Sequence, residues 1–247
     1  MKAVILAAGK GLRMRPLTER LPKPMLELHG KPILQYIIEG LRIANFNEIA
    51  LIVGYKHEFI RKYFRNGENF GVRINYILQA DQKGTGHATL LAEQFCGDEQ
   101  FLLTYSDVLI SYSIYQELYK SYKEQNERFV LVANPTNDPY RGAAIYYEND
   151  YVTEIIEKPP KGTSKSKLNN SGIFILSPQI FQILRKTPDS IRGEIELTEA
   201  IKLGILNQNI KFRLIMVKEY QIRKDLGDTK DYEELMNTTK WLEKLKQ

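Results

Sequence analysis

The chain contains a single cysteine, Cys96, so no internal disulfide framework can hold it together. A reducing cytoplasm is the simplest compartment for such a chain, and a cytoplasmic protein is expected. Long hydrophobic runs are also missing. The apolar start Val4–Ala7 is too short for a membrane span and lacks the longer apolar core of a signal peptide. No membrane partner is therefore expected. There is no internal repeat and no long disordered tail. Two common phosphate-binding signatures are absent as well. No G-x-x-x-x-G-K-[ST] occurs, and the third glycine of G-x-G-x-x-G is replaced by Met14 after Gly9 and Gly11. The formal net charge of +5 invites a nucleic-acid reading, but no zinc, homeodomain or RNP pattern accompanies it. The basic residues are scattered, and their one dense cluster, Lys158 to Lys167, falls in a loop-like stretch. No nucleic-acid partner is expected, and the charge suits phosphate-bearing small molecules.

What is present is an ordinary globular composition, 43% hydrophobic and 26% charged over 247 residues, enough for a sizeable core. Strand-like apolar runs recur at Val4–Ala7, Ile49–Val53, Ile74–Leu78, Phe101–Thr104 and Phe129–Ala133. Between them Ile33–Ile43, Glu58–Phe64, Ala88–Phe95 and Ile114–Glu124 carry apolar residues at helical spacing. This alternation predicts parallel strands joined by right-handed crossover helices. The fold class is α/β, a doubly wound, mostly parallel sheet with its site at the carboxyl ends of the strands. After about Pro135 the rhythm changes. Ala143–Tyr147 and Val152–Ile156 flank Glu148-Asn149-Asp150 and predict a hairpin. Lys158–Asn169 reads as an exposed loop, Ile173–Leu176 and Phe212–Val217 as strands, Glu196–Leu206 as a helix. Asp231–Leu245 reads as one charged amphipathic helix. The expectation is one domain over 1–247. Residues 1–135 form its first half, 136–228 a smaller β-rich elaboration, and 229–247 a closing helix.

Ala7-Ala8-Gly9-Lys10-Gly11-Leu12-Arg13-Met14 follows the first strand directly. Its glycines permit a sharp turn and close backbone approach to a ligand, and the N–H groups of such a turn can form an anion nest. Arg13 offers a planar fork of donors for phosphate oxygens. In Pro22-Lys23-Pro24-Met25 two prolines restrict the backbone around Lys23 and help to aim its ammonium. Gln79 ends the third strand, ahead of Gly84-Thr85-Gly86-His87-Ala88. A carboxamide can donate and accept at once, as a uracil or thymine edge requires. Asp107 follows the strand Phe101–Thr104, where a carboxylate is well placed for a metal. Each feature alone also has a bland reading, such as a strand–turn–helix, a polar strand end, a helix cap or a charged strand end. For His87 a helix-start role is expected rather than catalysis.

Together, Ala7 to Thr18 followed by Pro22-Lys23-Pro24-Met25-Leu26 resemble the signature of the sugar-phosphate nucleotidyltransferases, the NDP-sugar pyrophosphorylases. The resemblance continues over almost the whole chain. It implies the Rossmann-like nucleotidyltransferase fold and transfer of a nucleotidyl group from an NTP to a sugar 1-phosphate, with release of pyrophosphate. It implies catalytic roles for Arg13, Lys23 and Lys158, and nucleotide binding by Leu6, Ala7, Ala8, Gly9, Gly11, Gln79, Gly84 and Thr85. Gly142, Glu157 and Asn170 would hold the sugar, and Asp107 with Asp225 would hold Mg²⁺. Asp228 is the rival to Asp225. Three positions depart from the family pattern. Leu12 stands where Thr or Ser is usual, Ser106 replaces the Gly of Gly-Asp, and Arg223 replaces a common Trp. The segment Arg192 to Thr198 also resembles a family segment, without an assigned role. UTP or dTTP is favoured by Gln79 with Gly84-Thr85-Gly86. Cytidylyl or guanylyl transfer to another phosphorylated acceptor, and a non-catalytic nucleotide sensor, are the alternatives. The C-terminal left-handed β-helix of longer members is expected to be absent. The sugar and the oligomeric state, including a homo-oligomer, are left open.

Overall fold

The computed structural model describes residues 1–247. Its strands in chain order are β1 (Lys2–Ala7), β2 (Glu27–Leu28), β3 (Lys31–Pro32), β4 (Glu48–Val53), β5 (Arg73–Leu78), β6 (Phe101–Tyr105) and β7 (Val108–Ile110), then β8 (Val130–Pro135), β9 (Ala143–Glu148), β10 (Tyr151–Glu157), β11 (Leu168–Leu176), β12 (Arg213–Met216) and β13 (Arg223–Asp225). The helices are α1 (Leu17–Arg20), α2 (Ile33–Ile43), α3 (His57–Phe64), α4 (Gly84–Leu90), α5 (Glu93–Cys96), α6 (Tyr112–Glu124), α7 (Gln179–Leu184), α8 (Leu197–Gln208), α9 (Thr229–Met236) and α10 (Lys240–Lys246).

A nine-stranded sheet in the order β5-β4-β1-β6-β11-β8-β12-β10-β9 runs through the molecule. The first four strands are parallel and are linked through helices, as the apolar runs predict. Both faces of this half are covered, so successive residues go to opposite cores. Ala3, Ile5 and Ala7 of β1 pack with Leu34, Ile37 and Leu41 of α2 on one side. Val4 packs on the other side in the core that also holds Ala88, Phe181 and Ile201.

The expected mostly parallel sheet holds only for that half. β11 enters antiparallel to both β6 and β8, and β10 is antiparallel to β9 and β12, while β8 and β12 are parallel. The sheet is therefore mixed. Because β11 is hydrogen-bonded to β6 on one side and β8 on the other, the two halves share one sheet. The predicted hairpin is present as β9–β10, with Asn149 and Asp150 both at positive φ in its turn.

Several boundaries differ from the sequence reading. β11 begins at Leu168, inside the stretch read as a loop, and carries a register shift between Asn170 and Phe174. The polar Asn169-Asn170-Ser171-Gly172 is the irregular part of a strand, and its composition hides the strand. Ala88–Phe95 divides into α4 and α5, and the closing helix divides into α9 and α10 with Asn237–Thr239 between them. Trp241 of α10 folds back so that its indole N–H donates to the Leu235 carbonyl at 3.0 Å. The antiparallel ribbon β7–β13 has no counterpart in the sequence reading, because it pairs residues more than a hundred positions apart.

Candidate active site

The parallel strands bring their carboxyl ends to one edge, and the turns that leave them line a cleft of about 620 Å³. The Gly9–Met14 turn leaves β1. Gln79 follows β5, its N–H bonded to the Val53 carbonyl at 2.8 Å. Ser106 and Asp107 follow β6, with the Ser106 N–H on the Leu6 carbonyl at 3.1 Å. From the antiparallel half come Gly142, Glu157, Lys158 and Asn170. Leu6, Ala8, Gly9, Gly11, Arg13, Lys23, Gly84, Thr85 and Asp225 complete the set of sequence-predicted residues on this lining. Ala7 is the exception. Its side chain is buried in the core beneath the turn, on the face shared with α2.

The turn and Lys23 are built against each other. Gly11 has φ +62, and a Cβ there would lie 3.0 Å from Thr18 Cγ2 and 3.2 Å from Lys23 Cβ. The Thr18 hydroxyl donates to the Gly11 carbonyl at 2.9 Å. Lys23 lies between Pro22 and Pro24 at the start of a short 3₁₀ turn and is 8% exposed. Its ammonium reaches Asp107 Oδ2 at 2.6 Å. Burial of Asp107 works against ionisation, but the charge and hydrogen bond of Lys23, together with the charge of Arg223, outweigh it. The carboxyl is held below its ordinary range.

The ribbon β7–β13 brings Asp225 beside Asp107. Asp225 is the register partner of Val108, and the Leu226 N–H donates to the Asp107 carbonyl at 2.9 Å. Asp225 Oδ2 pairs with the Arg223 guanidinium at 3.2 Å. A Cβ on Gly227 would lie 3.3 Å from Asp225 Oδ1 and 3.6 Å from Arg13 Nη1, so the Arg13 guanidinium and the Asp225 carboxylate converge on that glycine. Asp228 does other work. Its Oδ1 accepts the Asp231 N–H at 3.1 Å and caps α9, and Arg141 lies 3.6 Å from its Oδ2.

From the antiparallel half, Glu157 ends β10. Its Oε2 accepts the Thr198 hydroxyl at 3.0 Å, and Lys158 Nζ is 3.8 Å from its Oε1. Lys158 sits at positive φ with its N–H on the Gly142 carbonyl at 3.0 Å, which ties this strand end to the glycine across the hairpin. Asn170 Oδ1 accepts the Gly172 N–H at 2.8 Å and shapes the irregular stretch of β11. Gly172, at φ +75, lies where a Cβ would meet the Tyr105 ring at 2.6 Å.

Several lining residues were not singled out by the sequence reading. Arg192, Glu194, Glu196 and Thr198 all reach the cleft from the segment left without a role. Arg192 pairs with Glu196, and Thr85 Oγ1 lies 3.2 Å from Glu196 Oε2. The Ile195 carbonyl accepts the Gly86 N–H at 2.8 Å, so this segment buttresses the Gly84–Gly86 turn. The resemblance over Arg192 to Thr198 was the available signal. Tyr105 and Arg223 also line the cleft, and Arg223 carried a signal only as a departure from a Trp.

Comparison with known proteins shows the family. The family model described as nucleotidyl transferase matches residues 2–240. The bifunctional protein GlmU of Methanococcus maripaludis is 41% identical over 220 residues, 89% of this chain and 50% of that protein. The chain thus spans about half the length of the GlmU proteins it matches. The UTP–glucose-1-phosphate uridylyltransferase AglF of Haloferax volcanii is 37% identical over 207 residues, 83% of this chain and 84% of that protein. A solved UDP-glucose pyrophosphorylase complexed with UDP-glucose superposes with a TM-score of 0.85 at 26% identity, covering 96% of this chain and 97% of that one. With its family model matched almost end to end and relatives of this identity, the chain belongs to the nucleotidyl transferase family.

Proposed function

We propose that the protein joins a sugar 1-phosphate to a nucleoside triphosphate, giving an NDP-sugar and pyrophosphate. The observation that carries this reading is the single cleft. A glycine turn with Arg13 and Lys23, the pair Glu157 and Lys158, and the carboxylates of Asp107 and Asp225 all line it. The activities for which AglF and the UDP-glucose pyrophosphorylase are named support the same reaction class.

In this reading the phosphate of the acceptor attacks the α-phosphorus of the NTP in line. The nucleophile is already anionic, so no general base is needed, and the protein supplies position and charge. The Gly9–Gly11 backbone and Arg13 hold the triphosphate. Lys23 exchanges Asp107 for phosphate oxygens and stabilises the departing pyrophosphate. Lys158 holds the attacking phosphate, while Glu157, Asn170 and the backbone at Gly142 receive sugar hydroxyls. Asp107 and Asp225 suit Mg²⁺. They are hard oxygen donors on neighbouring backbones that meet in the cleft. Such an ion, when bound, supplies neutralisation of the gathered phosphate charge. UTP and dTTP are the favoured donors, from Gln79 and Gly84. No helix is long and apolar enough to cross a membrane. We place the reaction in the cytoplasm.

The test is a matrix of NTPs against sugar 1-phosphates with Mg²⁺, read by pyrophosphate release. Release that requires both substrates supports transfer. Nucleotide binding without release in any combination favours a sensor.

A further inference from the structure

Gln79 is 3% exposed, and its side-chain nitrogen has two partners. Its Nε2 lies 3.2 Å from the Gly84 carbonyl oxygen and 3.0 Å from His87 Nδ1. An amide nitrogen carries two hydrogens, and with a carbonyl and an unprotonated ring nitrogen as acceptors both are used. The remaining polar atom, Oε1, takes no hydrogen bond from the protein, while Gln79 lines the cleft. With His87 protonated on Nε2, turning the amide over would set Oε1 against two acceptors at once.

The Gly84 carbonyl cannot drift to relieve that conflict. Gly84 sits at φ +93, and a Cβ there would stand 2.4 Å from the Ile195 carbonyl oxygen. The turn is closed by the Gly86 N–H on that carbonyl and by the Ile195 N–H on the Lys83 carbonyl at 2.9 Å. His87 is half-buried on α4 and does not line the cleft.

We infer that His87 is a positioning residue for base choice. By accepting from Gln79 it fixes the amide with its carbonyl oxygen toward the base, so the site reads a donor edge. Uracil and thymine present N3–H there, whereas cytosine presents a lone pair at the same atom. Oxygen facing that lone pair leaves two acceptors unpaired, and such mismatches are what specificity is made from. CTP is the diagnostic competitor because cytosine has the size of uracil. This inference rests on the proposed reading of Gln79 as the base contact.

The experiment is calorimetric titration of the full chain with UTP and with CTP in Mg²⁺, alongside thermal melts. The wild type should favour UTP by about tenfold or more. His87→Leu removes one of the amide's two acceptors and leaves only the Gly84 carbonyl to orient it, so the preference should fall to within about threefold, mainly through weaker UTP binding. His87→Asp puts an obligate acceptor where Nδ1 stood and should restore the preference. His87→Lys, a donor only, should lose it. The Asp and Lys variants carry the test if the Leu variant melts early. A wild-type ratio in His87→Leu or His87→Lys, with the ratio lost in Gln79→Ala, overturns the role of His87 and leaves the base contact standing. A wild-type ratio in Gln79→Ala overturns the base contact itself, and this inference with it.

Discussion

Replacing Lys23 by Met removes one ammonium while keeping most of the buried stem. Lys23 is 8% exposed, and its Nζ is 2.6 Å from Asp107 Oδ2, so the change strips the carboxylate of its closest cation. The Asp107 side chain keeps 30% exposure, which places the pair between the surface and buried limits. The expected cost to stability is about 1–3 kcal/mol. A native protein of this size carries roughly 5–15 kcal/mol, so the variant should stay folded. Catalysis should suffer more. A positioned cation on a developing phosphate charge is worth on the order of 10²–10³ in kcat, about 3–4 kcal/mol. The stability loss has a pH signature. Asp107 is held below its ordinary range by Lys23 and Arg223 against the opposing effect of burial. Its ionised form therefore stabilises the wild type above the unfolded carboxylate pKa of about 3.9, and this contribution disappears as pH falls through the lower folded value. The gap between wild type and Lys23→Met should be full at neutral pH and close in acid. Urea unfolding across pH, paired with pyrophosphate release at neutral pH, measures both. Near-normal turnover in a folded variant would refute the role of Lys23, and a stability gap independent of pH would refute the coupling to Asp107.

Two glycines should separate fold from binding. Gly84→Ala forces a side chain onto φ +93 and into the Ile195 carbonyl, and should cost at least about 2 kcal/mol in thermal or urea unfolding. Gly9 has open space around its Cβ position and lines the cleft, so Gly9→Val should melt like the wild type yet raise the KM for NTP. Arg223→Ala frees Asp225 from a pair at 3.2 Å whose carboxylate is 45% exposed. Direct titration with Mn²⁺ should show binding tightened by only a few-fold, since a half-exposed pair is worth about 0–1 kcal/mol. Asp225→Asn should leave the melt within about 0.5 kcal/mol of the wild type and weaken the same Mn²⁺ titration.

The parallel half was legible because β1, β4 and β6 are buried on both faces and read as nearly unbroken apolar runs between helical spacings. β11 was only half legible. Its residues Asn169 to Gly172 serve the cleft and the Tyr105 ring, so their composition mimics a loop. The antiparallel insertion of β11 between β6 and β8 is a tertiary choice with no local signal. The same holds for β7–β13, although Asp107 was visible as a strand-end carboxylate and Asp225 through the family resemblance. Gln79 was legible as a polar strand end, but its contacts with the Gly84 carbonyl and His87 need the α4 geometry. Ala7 shows the opposite limit. It sits in the signature run, yet strand alternation turns its side chain into the core.

The proposed reaction transfers the nucleotidyl group to an oxygen of the acceptor phosphate. It can be followed with sugar 1-phosphate carrying ¹⁸O in its three non-bridging oxygens, incubated with UTP and Mg²⁺ and read by mass spectrometry. The expected products are an NDP-sugar that retains every labelled oxygen, one of them in the new P–O–P bridge, and unlabelled pyrophosphate. Labelled pyrophosphate, or free UMP with no NDP-sugar, would contradict it.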